Sequence, residues 1–250
     1  MIRGRIIRRA VLILSLYVLA GAGLPVSGQD GEGGRQVLQS ERMRALISPD
    51  GLESVTDPLD RYQADIVNRR TPWGRLKIVY KTDGGEWIER PVNRPNIMAS
   101  EAGAVVLKSD DTADPVTVTQ RFSLAGHALD YEIEIGSKSA DPVEIGDLAV
   151  YLPWSISHSE NPDTIFEKSF TKYHFISGNG SFLYFTRPSG EPPYLMILPG
   201  EGTGVEYFDG GRGGYKLYMH SAVAGNSVPS GTWRLPHTSV MLGGETGRTT

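Results

Sequence analysis

The stretch PVTVTQRFSLAGHALDYEIEI, residues 115–135, alternates apolar and polar side chains on both sides of a turn signal. Before the turn, one face carries Val116, Val118, Phe122 and Leu124, and the opposite face carries Thr117, Thr119, Arg121 and Ser123. After the turn, Leu129, Tyr131, Ile133 and Ile135 alternate with Asp130, Glu132 and Glu134. A period of two with one apolar face is typical of a half-buried strand, and Gly126 suits the turn. The stretch therefore predicts an antiparallel hairpin.

The same period of two continues on both sides of this hairpin. Residues 75–81, RLKIVYK, alternate regularly, and short branched or aromatic runs separated by glycine and proline fill the second half of the chain. In PVEIGDLAVYLPW, residues 142–154, the apolar phase shifts by one residue at Gly146, which predicts a β-bulge. Only Gln36–Leu46 suits a short helix. We therefore predict an all-β fold, an antiparallel β-sandwich.

The first 28 residues have the order of segments found in a secretory signal peptide. Four arginines in MIRGRIIRR precede the apolar run AVLILSLYVLAGAGL. Val26 and Gly28 are small residues at the positions that a signal peptidase reads. A membrane anchor is the alternative, but the apolar run is shorter than the ~20 residues of a spanning helix. We expect cleavage before Gln29 and a secreted or periplasmic product with no membrane attachment.

The remaining chain divides into a short leader and one large domain. Residues 29–43 are polar and glycine-rich, which predicts a flexible leader. A single sandwich domain is expected over residues 44–242, followed by a tail over residues 243–250.

Charge and cysteine content restrict the classes of partner. Removal of residues 1–28 takes away four arginines from a chain with net charge −4, and leaves a net charge of −8. Because nucleic acids bind basic surfaces, an acidic exported chain is not expected to bind them. The chain has no cysteine, so its stability must come from a buried core rather than from disulfides.

No motif for a nucleotide, a metal ion or a catalytic triad is complete. The glycine clusters GEGTGV and GNGSFL lack the sixth-position glycine of a dinucleotide fingerprint. The sequence has no G-x-S-x-G, H-E-x-x-H or calcium-loop motif, and its five histidines are scattered. Glu132 and Glu134 share one face, but their alternation with apolar residues indicates an ordinary solvated surface. We predict no cofactor, no metal site and no identifiable catalytic residue.

One group of aromatic and polar residues in predicted loops suits a saccharide. Aromatic faces can stack on the C–H face of a sugar ring, and Arg, His and Glu can pair with its hydroxyls. The candidate substrate-binding residues are Trp154, His158, Tyr173, His174, Arg187 and Glu191. The alternative is that the aromatic side chains fill the sandwich core and the polar ones brace turns.

The segment FSLAGHALDYEIEIGSKSADPVEIGDLAVYLPW, residues 122–154, resembles the sandwich domain of secreted bacterial carbohydrate-active enzymes. That domain is a galactose-mutarotase-like supersandwich, and residues 71–87 and 175–208 fit the same pattern. The resemblance covers about residues 44–242. In such glycoside hydrolase-like proteins the sandwich precedes an (α/α) toroid that carries the catalytic carboxylates. This chain shows no helical repeat after LGGETGRTT, so we expect the toroid to be encoded separately or lost.

The resemblance implies a carbohydrate-associated, non-catalytic sandwich, the N-terminal module of a glycosidase or polysaccharide lyase, which binds a poly- or oligosaccharide without hydrolysing it. Two alternatives remain open. A free-standing mutarotase-like enzyme needs a general acid and a general base across one sugar ring, with His158, His174 and Glu191 as the residues to examine. A structural or adhesive envelope protein needs no sugar site.

Overall fold

A computed structural model describes residues 26–30, 34–67, 72–101, 103–126, 128–154, 171–177, 180–187, 189–198, 204–209, 215–220, 226–228, 232–234 and 238–243. Every regular element in these ranges is a β-strand, and the strands pair antiparallel. The predicted all-β antiparallel sandwich is therefore confirmed.

Nineteen strands are formed by the described residues. In chain order they are β1 (Val26–Asp30), β2 (Arg35–Gln39), β3 (Arg44–Ser48), β4 (Gly51–Thr56), β5 (Arg75–Lys81), β6 (Ile88–Pro91), β7 (Ile97–Glu101), β8 (Ala104–Ser109), β9 (Val116–Ala125), β10 (Ala128–Ser137), β11 (Val143–Trp154), β12 (Thr171–Ser177), β13 (Gly180–Thr186), β14 (Tyr194–Leu198), β15 (Gly204–Asp209), β16 (Tyr215–His220), β17 (Asn226–Val228), β18 (Thr232–Arg234) and β19 (Thr238–Gly243).

The strands form three sheets around a shared core. A four-stranded sheet has the order β1-β2-β3-β4, and a nine-stranded sheet has the order β12-β13-β14-β19-β10-β9-β8-β7, with β18 also paired to β10. A six-stranded sheet has the order β15-β16-β11-β5-β6, with β17 also paired to β11. Buried side chains from all three sheets belong to one hydrophobic cluster, including Leu38 of β2, Ile78 of β5 and Ile135 of β10.

The predicted hairpin is confirmed as strands β9 and β10. The two strands pair without interruption from Ala125↔Ala128 to Val116↔Ser137. Gly126, in the turn, has φ +63°, a conformation that glycine adopts without steric cost. The apolar faces predicted for both strands are buried. The hydrophobic alternation was thus sufficient to place this pair of strands in the core.

The predicted bulge at Gly146 is also confirmed. The register between β11 and β5 shifts between Ile145 and Asp147. The ring of Trp87 covers the bulge, so that a Cβ added to Gly146 would lie 2.8 Å from Trp87 Cζ3. Glycine at this position therefore fits the backbone of the bulge and also leaves room for the close approach of the indole.

The segment expected to be a flexible leader contains sandwich strands. β2 pairs with β3, while Leu38 and Met43 are fully buried. Neither the leader over residues 29–43 nor a helix over Gln36–Leu46 fits this arrangement. The polar average of the segment concealed a few apolar side chains, whose burial against neighbouring strands outweighs the local composition.

Strand β1, Val26–Asp30, pairs with β2 and crosses the predicted cleavage point. The rest of the predicted signal peptide, residues 1–25, lies outside the described residues. Among the residues that are described, no helix has the length and apolar character needed to cross a membrane.

Candidate functional site

Two loops face each other across an open groove with a volume of about 260 Å³. One loop follows β4 and the other connects β13 to β14. The groove residues that carry the argument below are Arg42, Asp57, Leu59, Arg61, Tyr62 and Glu191.

Two aspartates organise the loop after β4. Asp57 Oδ1 accepts a hydrogen bond from the backbone N–H of Leu59 at 2.9 Å. Asp60 Oδ1 accepts from the N–H of Tyr62 at 3.2 Å, and Asp60 Oδ2 accepts from the N–H of Ala64 at 2.9 Å. Aspartate favours turns because its side chain can satisfy backbone donors a few residues ahead. The sequence DPLDRY, residues 57–62, thus sets the shape of this wall.

A buried ion pair joins the two loops beneath the groove. Arg187 Nη2 lies 2.7 Å from Asp60 Oδ2, and the two side chains are only 0% and 1% exposed. Arg187 also donates to the backbone carbonyl of Pro192. Since both charges are removed from water, each depends on the other for compensation. The pair therefore fixes the distance between the loops.

A second ion pair crosses the same loops at the surface. Arg61 Nη2 lies 2.8 Å and 3.1 Å from the two carboxylate oxygens of Glu191. The side chains are 65% and 43% exposed, so water and ligands can reach both groups. The Arg61 guanidinium also lies 4.4 Å from the centre of the Tyr62 ring. This pair presents fixed donors and acceptors to the groove.

A third pair and an apolar side chain complete the lining. Arg42 Nη2 lies 2.6 Å from Asp57 Oδ2, and the Asp57 side chain is 2% exposed. Leu59 is 61% exposed, an unusual position for a large apolar residue. The groove thus combines charged hydrogen-bonding groups with an exposed apolar surface.

Of the six candidate residues, the structure places two beside this groove. Glu191 lines it, whereas Arg187 lies beneath it and is already engaged by Asp60. His158 lies outside the described residues.

The other three candidates lie in strands rather than in loops. Trp154 is the last residue of β11, in register with Tyr215. Tyr173 and His174 belong to β12, in register with Tyr184 and Leu183 of β13. In KYHFIS, residues 172–177, Tyr173 and Phe175 alternate with Lys172 and His174, so the sequence did carry a signal for a strand at this position.

Sequence reasoning missed Arg42, Asp57, Asp60, Arg61 and Tyr62. The usable signal was the DPLDRY segment, a turn that combines two carboxylates, an arginine and an aromatic residue. Its relation to Glu191, 130 residues later, depends on tertiary structure. Within the described residues, no group of three or more His, Asp or Glu side chains could hold a metal ion.

The architecture of this chain is similar to that of several solved structures. No protein-family model and no curated protein sequence matches the chain. Among solved structures, a polysaccharide lyase matches 82% of this chain with a TM-score of 0.64 at 14% identity. The chain spans 33% of that lyase.

A galactose mutarotase-related enzyme from Lactobacillus acidophilus matches 84% of this chain and 97% of its own length, with a TM-score of 0.56 at 8% identity. The chain has a galactose-mutarotase-like fold. The resemblance seen in residues 122–154 is thereby confirmed for the fold. The galactose-mutarotase-like chain also matches the GH36 α-galactosidase AgaB from Geobacillus stearothermophilus, over 88% of this chain and 41% of AgaB, with a TM-score of 0.53 at 8% identity.

Proposed function

We propose that this galactose-mutarotase-like chain is a saccharide-binding module of a secreted bacterial carbohydrate-active protein. The observation that carries the proposal is the exposed Arg61–Glu191 pair, held across the groove by the buried Arg187–Asp60 pair. Proteins with this fold include a polysaccharide lyase and α-galactosidases, which supports a carbohydrate ligand.

The groove chemistry suits vicinal sugar hydroxyls. A hydroxyl can donate to a Glu191 oxygen while its neighbour accepts from Arg61, since each hydroxyl is both a donor and an acceptor. Hydrogen bonds to charged groups are stronger than those between neutral groups. The exposed Leu59 side chain provides apolar surface for the C–H face of the same ring. The volume of about 260 Å³ is below the ~300–1,000 Å³ of pockets for drug-sized ligands, so the groove suits one or two rings of a longer chain.

The same geometry favours binding over hydrolysis. Most glycosidases place two carboxyl groups on either side of the scissile bond, one of them as a proton donor. Asp57, Asp60 and Glu191 are each engaged by an arginine. In this arrangement the carboxylates serve as acceptors and structural partners. We therefore propose that the isolated chain does not cleave glycosidic bonds.

Replacement of Glu191 by alanine should weaken binding of a neutral oligosaccharide by at least about tenfold, because a hydrogen bond to a charged group contributes about 1.5–3 kcal/mol. Arg61→Ala should have a similar effect. A glycan array would select the oligosaccharide, and titration calorimetry would measure its affinity for each variant.

The control for this prediction is the Lys77–Glu89 pair of β5 and β6. It is another exposed ion pair, with a separation of 3.0 Å and side chains that are 40% and 63% exposed. Glu89→Ala should leave saccharide binding unchanged. If no saccharide on the array binds the wild-type protein, or if Glu191→Ala binds as well as the wild type, the groove is not a sugar site.

A second candidate function is a free-standing mutarotase-like enzyme. The match covers 97% of the Lactobacillus acidophilus enzyme, so that enzyme consists of little more than one such sandwich. This similarity in extent favours the mutarotase-like alternative. Polarimetry with freshly dissolved α-D-galactose distinguishes the two. Faster mutarotation that is lost in Glu191→Gln or His174→Ala would support the enzyme and contradict the binding module.

We also propose export through the signal peptide over residues 1–28. Amino-terminal sequencing of exported protein should begin at or near Gln29, because Val26 and Gly28 occupy the cleavage positions. Recovery of the intact Met1 terminus in a membrane pellet would contradict cleavage.

A further inference from the structure

A second pocket, with a volume of about 210 Å³, lies away from the groove. It is bounded by the turn between β3 and β4, the start of β5, and the connection between β6 and β7. Gln120 of β9 also lines it, so all three sheets contribute to the pocket. The residues used below are Asp50, Gly51, Gly74, Arg75, Arg94 and Gln120.

Gln120 is a polar side chain at a core position. It is 5% exposed and occupies the inward face of β9 between Val118 and Phe122. Its Oε1 atom accepts a hydrogen bond of 2.7 Å from the hydroxyl of Tyr131. Burial raises the pKa of Tyr131 above its ordinary value, so the hydroxyl remains a donor. The Nε2 group of Gln120 has no hydrogen-bond partner among the described residues.

An amide donor at the wall of a pocket, with no partner among the described residues, can be completed by solvent or by a ligand group. Gly74, with φ +96°, keeps the space beside this amide clear, because a Cβ there would lie 3.4 Å from Gln120 Oε1. The pocket thus has a polar floor that a small ligand group can reach.

The charged residues of the pocket are rich in donors. Arg75 is exposed, and its side chain has no ion-pair or hydrogen-bond partner among the described residues. Arg94 lies 3.1 Å from Asp50 and is 65% exposed, so it retains further N–H groups. Two guanidinium groups and one carboxylate leave one net positive charge on a chain whose overall charge is negative. A ligand group that fits this set is an anion with several acceptor oxygens.

We propose that this pocket binds the carboxylate of an acidic saccharide, with Gln120 Nε2 as the neutral donor and Arg75 as the charged one. That the ligand is a saccharide rests on the proposed function. That the bound group is an anion rests on the hydrogen-bond donors of Gln120, Arg75 and Arg94. The groove and the pocket then recognise different parts of the ligand: neutral hydroxyls in the groove and a uronate carboxylate in the pocket.

The probe is a galacturonate trisaccharide, and its fully methyl-esterified form is the neutral match. The purified chain should bind the acid at least about tenfold more tightly than the ester, since charged hydrogen bonds are lost in the ester. Arg75→Met should remove most of this preference. Gln120→Glu, which keeps an acceptor for Tyr131 and places a negative charge on the floor, should remove it as well. Lys77→Met, two residues further along β5, is the control and should bind like the wild type.

Equal affinity for the acid and the ester, or an unchanged affinity in Arg75→Met, would overturn the proposal. Inorganic phosphate that binds through Arg75 when the trisaccharide does not would also overturn it and indicate a site for free anions. Gln120→Glu alters a buried residue, so circular dichroism is used to check that this variant folds. If Gln120→Glu is unfolded, the variant at the exposed position, Arg75→Met, decides the result.

The groove is tested independently of this pocket. A neutral oligosaccharide whose binding is lost in Arg61→Ala and kept in Arg75→Met would support the proposed function even if the acidic trisaccharide does not bind. Loss of every saccharide interaction would remove both proposals.

Discussion

Arg187→Ala should lower the free energy of unfolding by about 3–5 kcal/mol, the range found when one partner of a buried ion pair is removed. Asp60 would then be left as a buried, uncompensated charge, because its side chain is 1% exposed. The substitution would break the ion pair of Arg187 with the loop after β4, and it would also remove the donor to the Pro192 carbonyl, a contact within the β13–β14 loop. Urea denaturation followed by circular dichroism measures the change.

The matched control is Arg61→Ala, which breaks an arginine–carboxylate pair between the same two loops. Because Arg61 and Glu191 are 65% and 43% exposed, the expected loss is only about 0–1 kcal/mol. The two variants separate stability from binding: Arg187→Ala should act on folding and Arg61→Ala on saccharide affinity. Equal losses of stability would show that burial does not distinguish the pairs.

A double substitution tests the cause of the loss. Asp60→Asn removes the charge while keeping an oxygen that can accept a backbone hydrogen bond. Combined with Arg187→Met, it should restore part of the stability lost in Arg187→Ala, because no unpaired charge remains. No recovery in the double variant would point to lost packing rather than to the uncompensated charge.

Gly51→Ala should destabilise the fold by at least about 3 kcal/mol, from backbone strain and overpacking together. Gly51 has φ +113°, and a Cβ there would overlap the backbone carbonyl oxygen of Trp73. That oxygen accepts a 2.8 Å hydrogen bond from Leu52 N–H, and Trp73 N–H donates to the Leu52 carbonyl at 2.9 Å. A shift of the carbonyl would break the bridge between β4 and the segment before β5.

Gly84→Ala separates the two contributions. Gly84 has φ +65°, and a Cβ there would meet no atom within 4 Å. The expected loss is therefore about 1 kcal/mol, from backbone strain alone. Thermal unfolding of both variants checks the prediction, and a loss in Gly51→Ala no greater than in Gly84→Ala would show that the Trp73 carbonyl can move without cost.

The bridge at Gly51 has a further consequence for the proposed acidic-saccharide pocket. Gly51 lies against the Trp73 carbonyl, Gly74 follows Trp73 in sequence, and both glycines line that pocket. The residues that connect the four-stranded sheet to the segment before β5 therefore also shape the wall of the pocket. Gly51→Ala should accordingly weaken binding of the acidic trisaccharide as well as folding, whereas Gly84→Ala should leave that binding unchanged.

The alternation of apolar and polar residues by itself determined the hairpin of β9 and β10 and the bulge at Gly146. Both depend on neighbours in sequence, because strand faces have a period of two and a bulge changes that period locally. The strands of the predicted leader escaped this reasoning. Val37, Leu38 and Met43 are the few apolar residues of a polar segment, and only contacts with other strands place them in the core.

The candidate sites depended on tertiary structure to different degrees. Gln120 was visible in the sequence as a polar residue in an otherwise apolar strand face, although its pocket was not. Glu191 was predicted as a binding residue, but its partner Arg61 lies 130 positions earlier. Arg187 was predicted to face a ligand, and the fold instead buries it against Asp60. Local pattern determined which residues form strands, whereas the sites arise from loops that only the folded chain brings together, because no periodicity encodes contacts between distant loops.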